Sequence, residues 1–197
     1  LHLLDSLGQQ EFNMGDTEII IVDNNSNDST STLIKKYKNQ HRSLNITLTK
    51  ESKVHVSAAR NKGAGLAKGK LLIFLDADNV VHPDFLSQIY KKAVIEGFEA
   101  GTIFTLPIED SQRGRIVFWI LEVIKITFGK PFGKNFCSKR IFNMLGGYNE
   151  SITIGTNLDF LIRVKKLLKK TDKGLAHVHS PIFTSLRRFE RKGYIPI

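Results

Sequence analysis

The sequence predicts an α/β fold with a mostly parallel sheet flanked by helices, and three observations lead there. Short apolar runs at residues 18–22, 45–49 and 71–75 alternate with segments of helical length, the spacing that builds successive strand-helix-strand units. The run at 71–75, Leu-Leu-Ile-Phe-Leu, is apolar throughout, as expected of a strand covered on both faces. Two of the runs end in an acidic residue, Asp23 and Asp76, and in such sheets ligands gather beyond the carboxyl ends of the strands.

Taken in order, residues 18–22 form a strand closed by Asp23, and residues 29–38 open with a helix-start signal and carry Leu33, Ile34 and Tyr37 on one face. Residues 45–49 alternate apolar and polar side chains as a half-buried strand does, and residues 56–67 are Ala-rich and helical despite Gly63 and Gly65. After the strand at 71–75, Pro83 sits in the first turn of a helix bearing Phe85, Leu86, Ile89 and Tyr90. Beyond Pro107 the alternation is less regular: a helix at 113–128, a short strand at 136–138, a helix at 139–145 broken by Gly146-Gly147, a helix at 157–170 and a strand at 175–178. The chain opens on Leu1-His2-Leu3-Leu4-Asp5, neither an initiator Met nor a charged leader, and we expect it to lack the first, upstream strand of its fold.

At 197 residues, with 41% hydrophobic and 24% charged side chains, the chain suffices for one core and reads as a single domain, residues 1–197. The lone Cys137 excludes an internal disulfide and a Cys-rich zinc site, and fits a reducing, cytoplasmic setting. The longest apolar stretch, residues 116–128, is interrupted by Glu122 and Lys125 and is too short and too charged to span a bilayer. The net charge of +10 is concentrated late: residues 161–192 hold ten Lys or Arg against Asp172 and Glu190. Such a cluster attracts phosphorylated substrates or anionic headgroups, but no interleaving of aromatic and basic residues marks a nucleic-acid module. The helix that carries the apolar stretch 116–128 is apolar almost all round, which by default means burial in the core; the sharper reading is that Trp119 and Phe118, with the basic stretch, form a platform for a lipid-linked acceptor and peripheral contact with the inner face of a membrane.

The chemistry centres on Asp76-Ala77-Asp78. In an extended chain, residues two apart face the same side, so both carboxylates share one site. Like charges that close are costly without a cation between them, which predicts Mg2+ or Mn2+ completed by waters and substrate phosphates. The alternative is a turn in which Asp78 serves only as a cap. The loop after Asp23, Asn24-Asn25-Ser26-Asn27-Asp28-Ser29-Thr30, is dense in amides and hydroxyls suited to a base and ribose, while Asp28 or Ser29 also starts the next helix. Arg60, in Ala59-Arg60-Asn61-Lys62-Gly63, stands at the same edge, within reach of a phosphate. His177 and His179 alternate on a strand and face one side, read here as structural.

Together these segments resemble the inverting glycosyltransferases of family 2, with the GT-A (Rossmann-like) fold. Residues 21–30 look like that family's first nucleotide loop, residues 59–63 like its second, Phe74-Leu75-Asp76-Ala77-Asp78-Asn79 like its metal-binding acidic triplet, and residues 136–142 with Gly146-Gly147-Tyr148-Asn149-Glu150 like its acceptor-side stretch. The resemblance covers about residues 18–188. It implies a nucleotide-binding half, about residues 1–107, and an acceptor half, about 108–197, that ends in the basic stretch. It further implies a nucleotide-diphosphate sugar donor, UDP- or GDP-linked, bound by Asp23, Asn24, Ser26, Arg60 and Asp76. The metal would sit on Asp78 with Asp76, and the acceptor glycan or lipid-linked sugar would lie near Gly146, Gly147, Tyr148 and Trp119. Arg187 and Arg188 would stabilise the departing diphosphate or grip an acceptor phosphate.

One position departs from the family pattern. An inverting transfer needs a general base, which the resemblance places in a Glu-Asp pair after the double glycine, where this chain has Thr156-Asn157. An amide accepts no proton at neutral pH. Asp159 or Glu150 has taken over, or the protein binds sugar nucleotides without turning them over, or the residue has been altered. Residues two apart on a helix point to different faces, which weighs against Asp159. A separate reading is a haloacid dehalogenase-type phosphatase, since residues 72–80 also resemble that family's nucleophile strand; it leaves the Asp23 loop and the double glycine unexplained.

Overall fold

The computed structural model describes residues 1–169 and 173–186. The elements run α1 (His2–Gly8), a 3-10 turn (Met14–Asp16), β1 (Ile19–Asp23), α2 (Thr30–Gln40), β2 (Ile46–Lys50), α3 (Val56–Leu66), β3 (Leu71–Phe74), β4 (Val80–Val81), α4 (Phe85–Tyr90) with a π-helical extension (Lys91–Ile95), β5 (Ala100–Pro107), α5 (Gln112–Thr127), β6 (Asn135–Ser138), α6 (Lys139–Met144), α7 (Thr156–Leu168) and β7 (Ala176–Thr184). The α/β class follows from sequence as expected. The helix α1 and the strands β4 and β5 do not.

The sheet is mixed rather than mostly parallel. β1 and β2 pair in parallel as a two-stranded unit, and five strands follow the order β3-β6-β5-β7-β4. Within the five, β5 and β7 are parallel, while β3–β6, β5–β6 and β4–β7 are antiparallel. Parallel pairing holds for β1 and β2, joined through the crossover helix α2. It fails where β6 runs back between β3 and β5, a direction that hydrophobic periodicity does not encode. Strands from both sides of residue 107 therefore interleave in one sheet.

Two apolar layers cover the strands. One face packs Leu4 and Leu7 of α1 and Phe85 and Ile89 of α4 against Ile103, Phe136, Val178 and Ile182, and the same cluster takes in Ile19 and Ile46, so both sheet units share a core. The other face packs Ala64 of α3, Ile141 and Phe142 of α6, and Phe160 and Val164 of α7 against Leu72, Phe74 and Cys137. Burying each large apolar side chain stabilises by about 1.5–3 kcal/mol. Gly101 in β5 is required by closeness: a Cβ there would meet the Phe136 ring at 2.5 Å and the Ala176 carbonyl at 2.8 Å.

α5 is turned inside out. β5 bulges between Ile103 and Thr105; the Thr105 N–H donates to Glu122 Oε1 at 3.1 Å, and Lys125 Nζ donates to the Ile103 carbonyl at 3.0 Å. Glu122 and Lys125, 2.6 Å apart and buried, thus satisfy backbone groups that the bulge turns out of the ladder. Meeting them places the charged face of α5 inward, and Ile116, Trp119, Ile120, Val123 and Ile126 point to solvent. Phe118 faces the core, so the expected pairing of Phe118 with Trp119 in one surface platform does not form. Among the described residues, no helix is long and apolar enough to cross a membrane.

Candidate active site

β3 ends at Phe74, and the acidic triplet lies in a turn beyond it rather than in extended strand. The Asn79 N–H donates to the Asp76 carbonyl at 3.0 Å, and the Asp76 N–H donates to Asn79 Oδ1 at 2.9 Å. Asn79 is fully buried and its amide also donates to Thr184 Oγ1 at 3.2 Å, which pins the turn to the end of β7. The strand-alternation argument for placing both carboxylates on one face therefore does not apply.

The two carboxylates have different surroundings. Asp76 Oδ1 accepts from Arg60 Nη2 at 2.9 Å and Asp76 Oδ2 from Lys134 Nζ. Burial pushes the Asp76 carboxyl up, but Lys134 and Arg60 outweigh it and hold the group at about 2. The cations that like charge demands are thus supplied by two side chains. Asp78 forms no ion pair among the described residues and lines a cavity of ≈ 480 Å³ with Ala77, Ile108, Glu109, Ser185 and His2. No group of three His, Cys, Asp or Glu side chains converges among the described residues, His177 and His179 included.

Arg60 joins three of the segments singled out in the sequence. Its Nη1 donates to Asn157 Oδ1 at 2.8 Å and to Thr156 Oγ1 at 3.1 Å, its Nη2 grips Asp76, and its guanidinium lies 5.1 Å above the Tyr148 ring. Tyr148 is buried, stacked on Phe160 at 4.3 Å between centroids, with its hydroxyl donating to Asn135 Oδ1 at 3.1 Å. It forms the floor under Arg60 and presents no surface to an acceptor. Gly146 and Gly147 both take positive φ, at 68° and 77°, and return the chain so that the Tyr148 N–H donates to Asn61 Oδ1 at 2.8 Å.

The two carboxylates considered as replacement bases are both engaged. Asp159 Oδ2 accepts from Arg163 Nε at 2.9 Å, one turn along α7. Glu150 accepts from Lys53 Nζ at 2.6 Å and from Asn61 Nδ2 at 2.9 Å, contacts that hold its carboxyl below the ordinary range. Asp23 is buried; its carboxylate accepts from the Ser26 N–H at 2.9 Å and from the Ser31 hydroxyl, which keeps it at about 2. Asn24 Nδ2 ties this loop to the Lys53 carbonyl at 2.6 Å, and Ser26 is exposed. Trp119 lies on the exposed face of α5. Arg187 and Arg188 lie outside the described residues. Lys134 and Asn79 are the site residues that sequence reasoning did not single out.

Residues 1–188 match the family model described as glycosyl transferase family 2. The chain belongs to that family. A relative with that chemistry is poly(ribitol-phosphate) beta-N-acetylglucosaminyltransferase TarP of Staphylococcus aureus, 28% identical over 192 residues, covering 86% of this chain and 55% of the relative. The cholesterol galactosyltransferase of Borreliella burgdorferi is 27% identical over 159 residues, covering 78% of this chain and 42% of its own length. The chain thus spans about half the length of these curated relatives. Among solved structures, mannosyltransferase PcManGT from Pyrobaculum calidifontis, in complex with GDP-Man and Mn2+, aligns with a TM-score of 0.72 at 19% identity, covering 97% of this chain and 53% of that one. S. aureus TarS in complex with UDP-GlcNAc aligns with a TM-score of 0.65 at 17% identity, covering 82% and 48%. These likenesses establish the GT-A fold for the family 2 chain, and membership of the family sets the phosphatase reading aside.

Proposed function

We propose that this domain binds a nucleotide-diphosphate sugar, UDP- or GDP-linked, in the cytoplasm and presents it for inverting transfer to the hydroxyl of an acceptor glycan or lipid-linked sugar, with a slow transfer step. The observation that carries this reading is the Arg60 guanidinium shared between Asp76 and Asn157, which links the acidic triplet to the position of the expected base in one constellation. The named ligands of the TarS and PcManGT structures support a nucleotide-sugar donor. The 23–26 loop takes the nucleotide: a carboxylate offers about four acceptor sites, so Asp23 retains capacity for a base N–H after serving Ser26 and Ser31.

Asp78 is the residue we assign to a divalent metal, Mg2+ or Mn2+, with Asp76 behind it. Such ions are held through one or two carboxylates together with substrate phosphates, and one carboxylate facing an open cavity without an ion-pair partner among the described residues fits that mode. When bound, the ion neutralises charge on the leaving diphosphate. Arg60 and Lys134 fix the Asp76 carboxylate so that it stays ionised beside the donor. Transfer is slow because Asn157 accepts no proton while Asp159 and Glu150 are held by Arg163 and by Lys53 with Asn61. Calorimetric titration with UDP-, GDP- and dTDP-sugars, with and without Mn2+, tests this: one nucleotide should bind, with a Mn2+ dependence that Asp78→Asn removes. Absence of binding to the whole panel would sink the proposal.

A further inference from the structure

A second cavity adjoins the Asp78 pocket and has the opposite chemistry. It is a groove of ≈ 550 Å³ between α5 and the ends of β5 and β7, lined by Leu106, Pro107, Ile108, Ile116, Trp119 and Phe183, with Arg115 at the rim. Ile108 also lines the Asp78 pocket, so the two cavities share a wall. Arg115 is paired with Asp110 at 2.7 Å. From the groove the apolar surface continues along the exposed face of α5, where Ile116 is 59%, Trp119 62% and Ile126 55% exposed.

The bulge in β5 explains why Glu122 and Lys125 point inward, but it does not require the outward positions to be Ile, Trp, Ile, Val and Ile. Polar residues there would solvate the helix at no cost to the core. A contiguous apolar surface rimmed by polar residues is characteristic of a binding surface, and one that opens onto a carboxylate pocket suits a ligand polar at one end and apolar at the other.

We propose that this groove binds the apolar chain of an amphiphilic acceptor, whose hydroxyl-bearing head reaches past Ile108 toward the donor sugar. The inference rests on reading the Asp78 pocket as the donor side of a sugar-transfer site. It deepens that reading by naming the acceptor class: a lipid or lipid-linked sugar rather than a fully polar glycan. Ile108, the wall that the two cavities share, marks the crossing from chain to head.

Trp119 is the single tryptophan of the chain, so its emission reports on this groove directly. Dodecyl glucoside, kept below its micelle concentration, should shift that emission to the blue saturably, while glucose should not. Ile116→Asp should raise the half-saturating concentration at least tenfold, and the uncharged Ile116→Ser should raise it by less. Ile95→Asp, at an exposed position outside the groove, should leave it unchanged. The inference is overturned by a missing shift, or by one that both Ile116 variants retain. It is also overturned by a response to phosphatidylcholine vesicles with none to the monomeric glucoside, which indicates a flat membrane contact. A blue-shifted emission that appears without ligand and follows protein concentration, with dimers in sedimentation, assigns the face to a second copy and overturns it as well. Nucleotide-sugar calorimetry on the same protein reads the donor pocket independently. Glucoside binding without donor binding sinks the donor reading alone, and donor binding without a Trp119 response sinks the acceptor inference alone.

Discussion

Arg60 Nη1 lies 2.8 Å from Asn157 Oδ1, so the position where the family pattern places a proton acceptor receives a hydrogen bond from a guanidinium. The neighbouring nitrogen of the same guanidinium holds Asp76 at 2.9 Å. A carboxylate at position 157 would find this cation already aimed at it, which makes the position ready for ionisation without rearrangement.

The first prediction follows from that readiness. Asn157→Asp should raise the rate of sugar transfer by on the order of 10²-fold or more, the contribution of a positioned general base. Donor affinity should change little, because Asp76 keeps both its partners. Steady-state release of nucleoside diphosphate in the presence of acceptor measures it, and the gain should fade at acid pH as the new carboxylate protonates. A variant no faster than the parent would place the base elsewhere.

The acid limb of stability provides the second. Asp23 and Asp76 both sit at about 2 in the folded chain, below the ordinary 3.8. A depressed carboxyl means the unfolded chain binds more protons over this interval, so the stabilisation is complete above about pH 4 and is lost as pH falls toward 2. Urea midpoints between pH 5 and pH 2 should drop less steeply in Asp23→Asn and in Asp76→Asn than in the parent. Asp76→Asn should also weaken donor binding, since Arg60 and Lys134 lose their shared carboxylate.

His177 acts in a higher pH window. Burial, together with the charges of Lys125, His179 and Lys92, holds its imidazole at about 4. Its Nε2 is buried 3.6 Å from Glu122 Oε2, and neither atom has a hydrogen-bond partner. A depressed histidine is neutral in the folded state, so stability is complete above pH 6.5 and falls as pH drops through about 4. Replacing His177 by Gln should flatten the thermal midpoint over that interval. Breaking the neighbouring ion pair with Glu122→Gln or Lys125→Met should cost roughly 3–5 kcal/mol, as for a buried charge left without its partner. The apolar double variant should remain destabilised, because Thr105 N–H and Ile103 C=O lose their partners at the bulge.

The residues that were legible in the sequence are those whose role is local. The strands ending at Asp23 and ahead of Asp76, the caps and the glycines show in short windows, because period and punctuation are properties of adjacent residues. Lys134 was not legible: it reaches Asp76, 58 residues earlier, only because β6 returns antiparallel to β3 with Asn135 opposite Phe74. Asn79 belongs to the same class, since its partner Thr184 is 105 residues away. β5 escaped notice because it opens on Ala-Gly, weak strand formers, although Gly101 is what the crowded centre of the sheet requires. The orientation of α5 stays open in the sequence, between burial and an outward Trp119, for a related reason: the bulge that draws Glu122 and Lys125 inward is not written in the helix itself.

The double glycine allows the two roles of a positive-φ residue to be separated. A Cβ on Gly146 would meet nothing within 4 Å, so Gly146→Ala should cost only the strain of its φ of 68°, of order 1–2 kcal/mol. A Cβ on Gly147 would lie 2.6 Å from Asn61 Oδ1 and 3.0 Å from the Phe142 ring, in addition to the strain of its φ of 77°. Asn61 cannot yield freely, because Oδ1 accepts from the Tyr148 N–H and Nδ2 donates to the Tyr148 carbonyl and to Glu150. Gly147→Ala should therefore destabilise more than Gly146→Ala and also weaken donor binding, by displacing the Tyr148 ring on which Arg60 rests. Urea denaturation and donor calorimetry on the two variants separate these effects. Equal losses in both would mean that the contact with Asn61 does not set the position of Tyr148, and that Arg60 is held by Asp76, Asn157 and Thr156 without it.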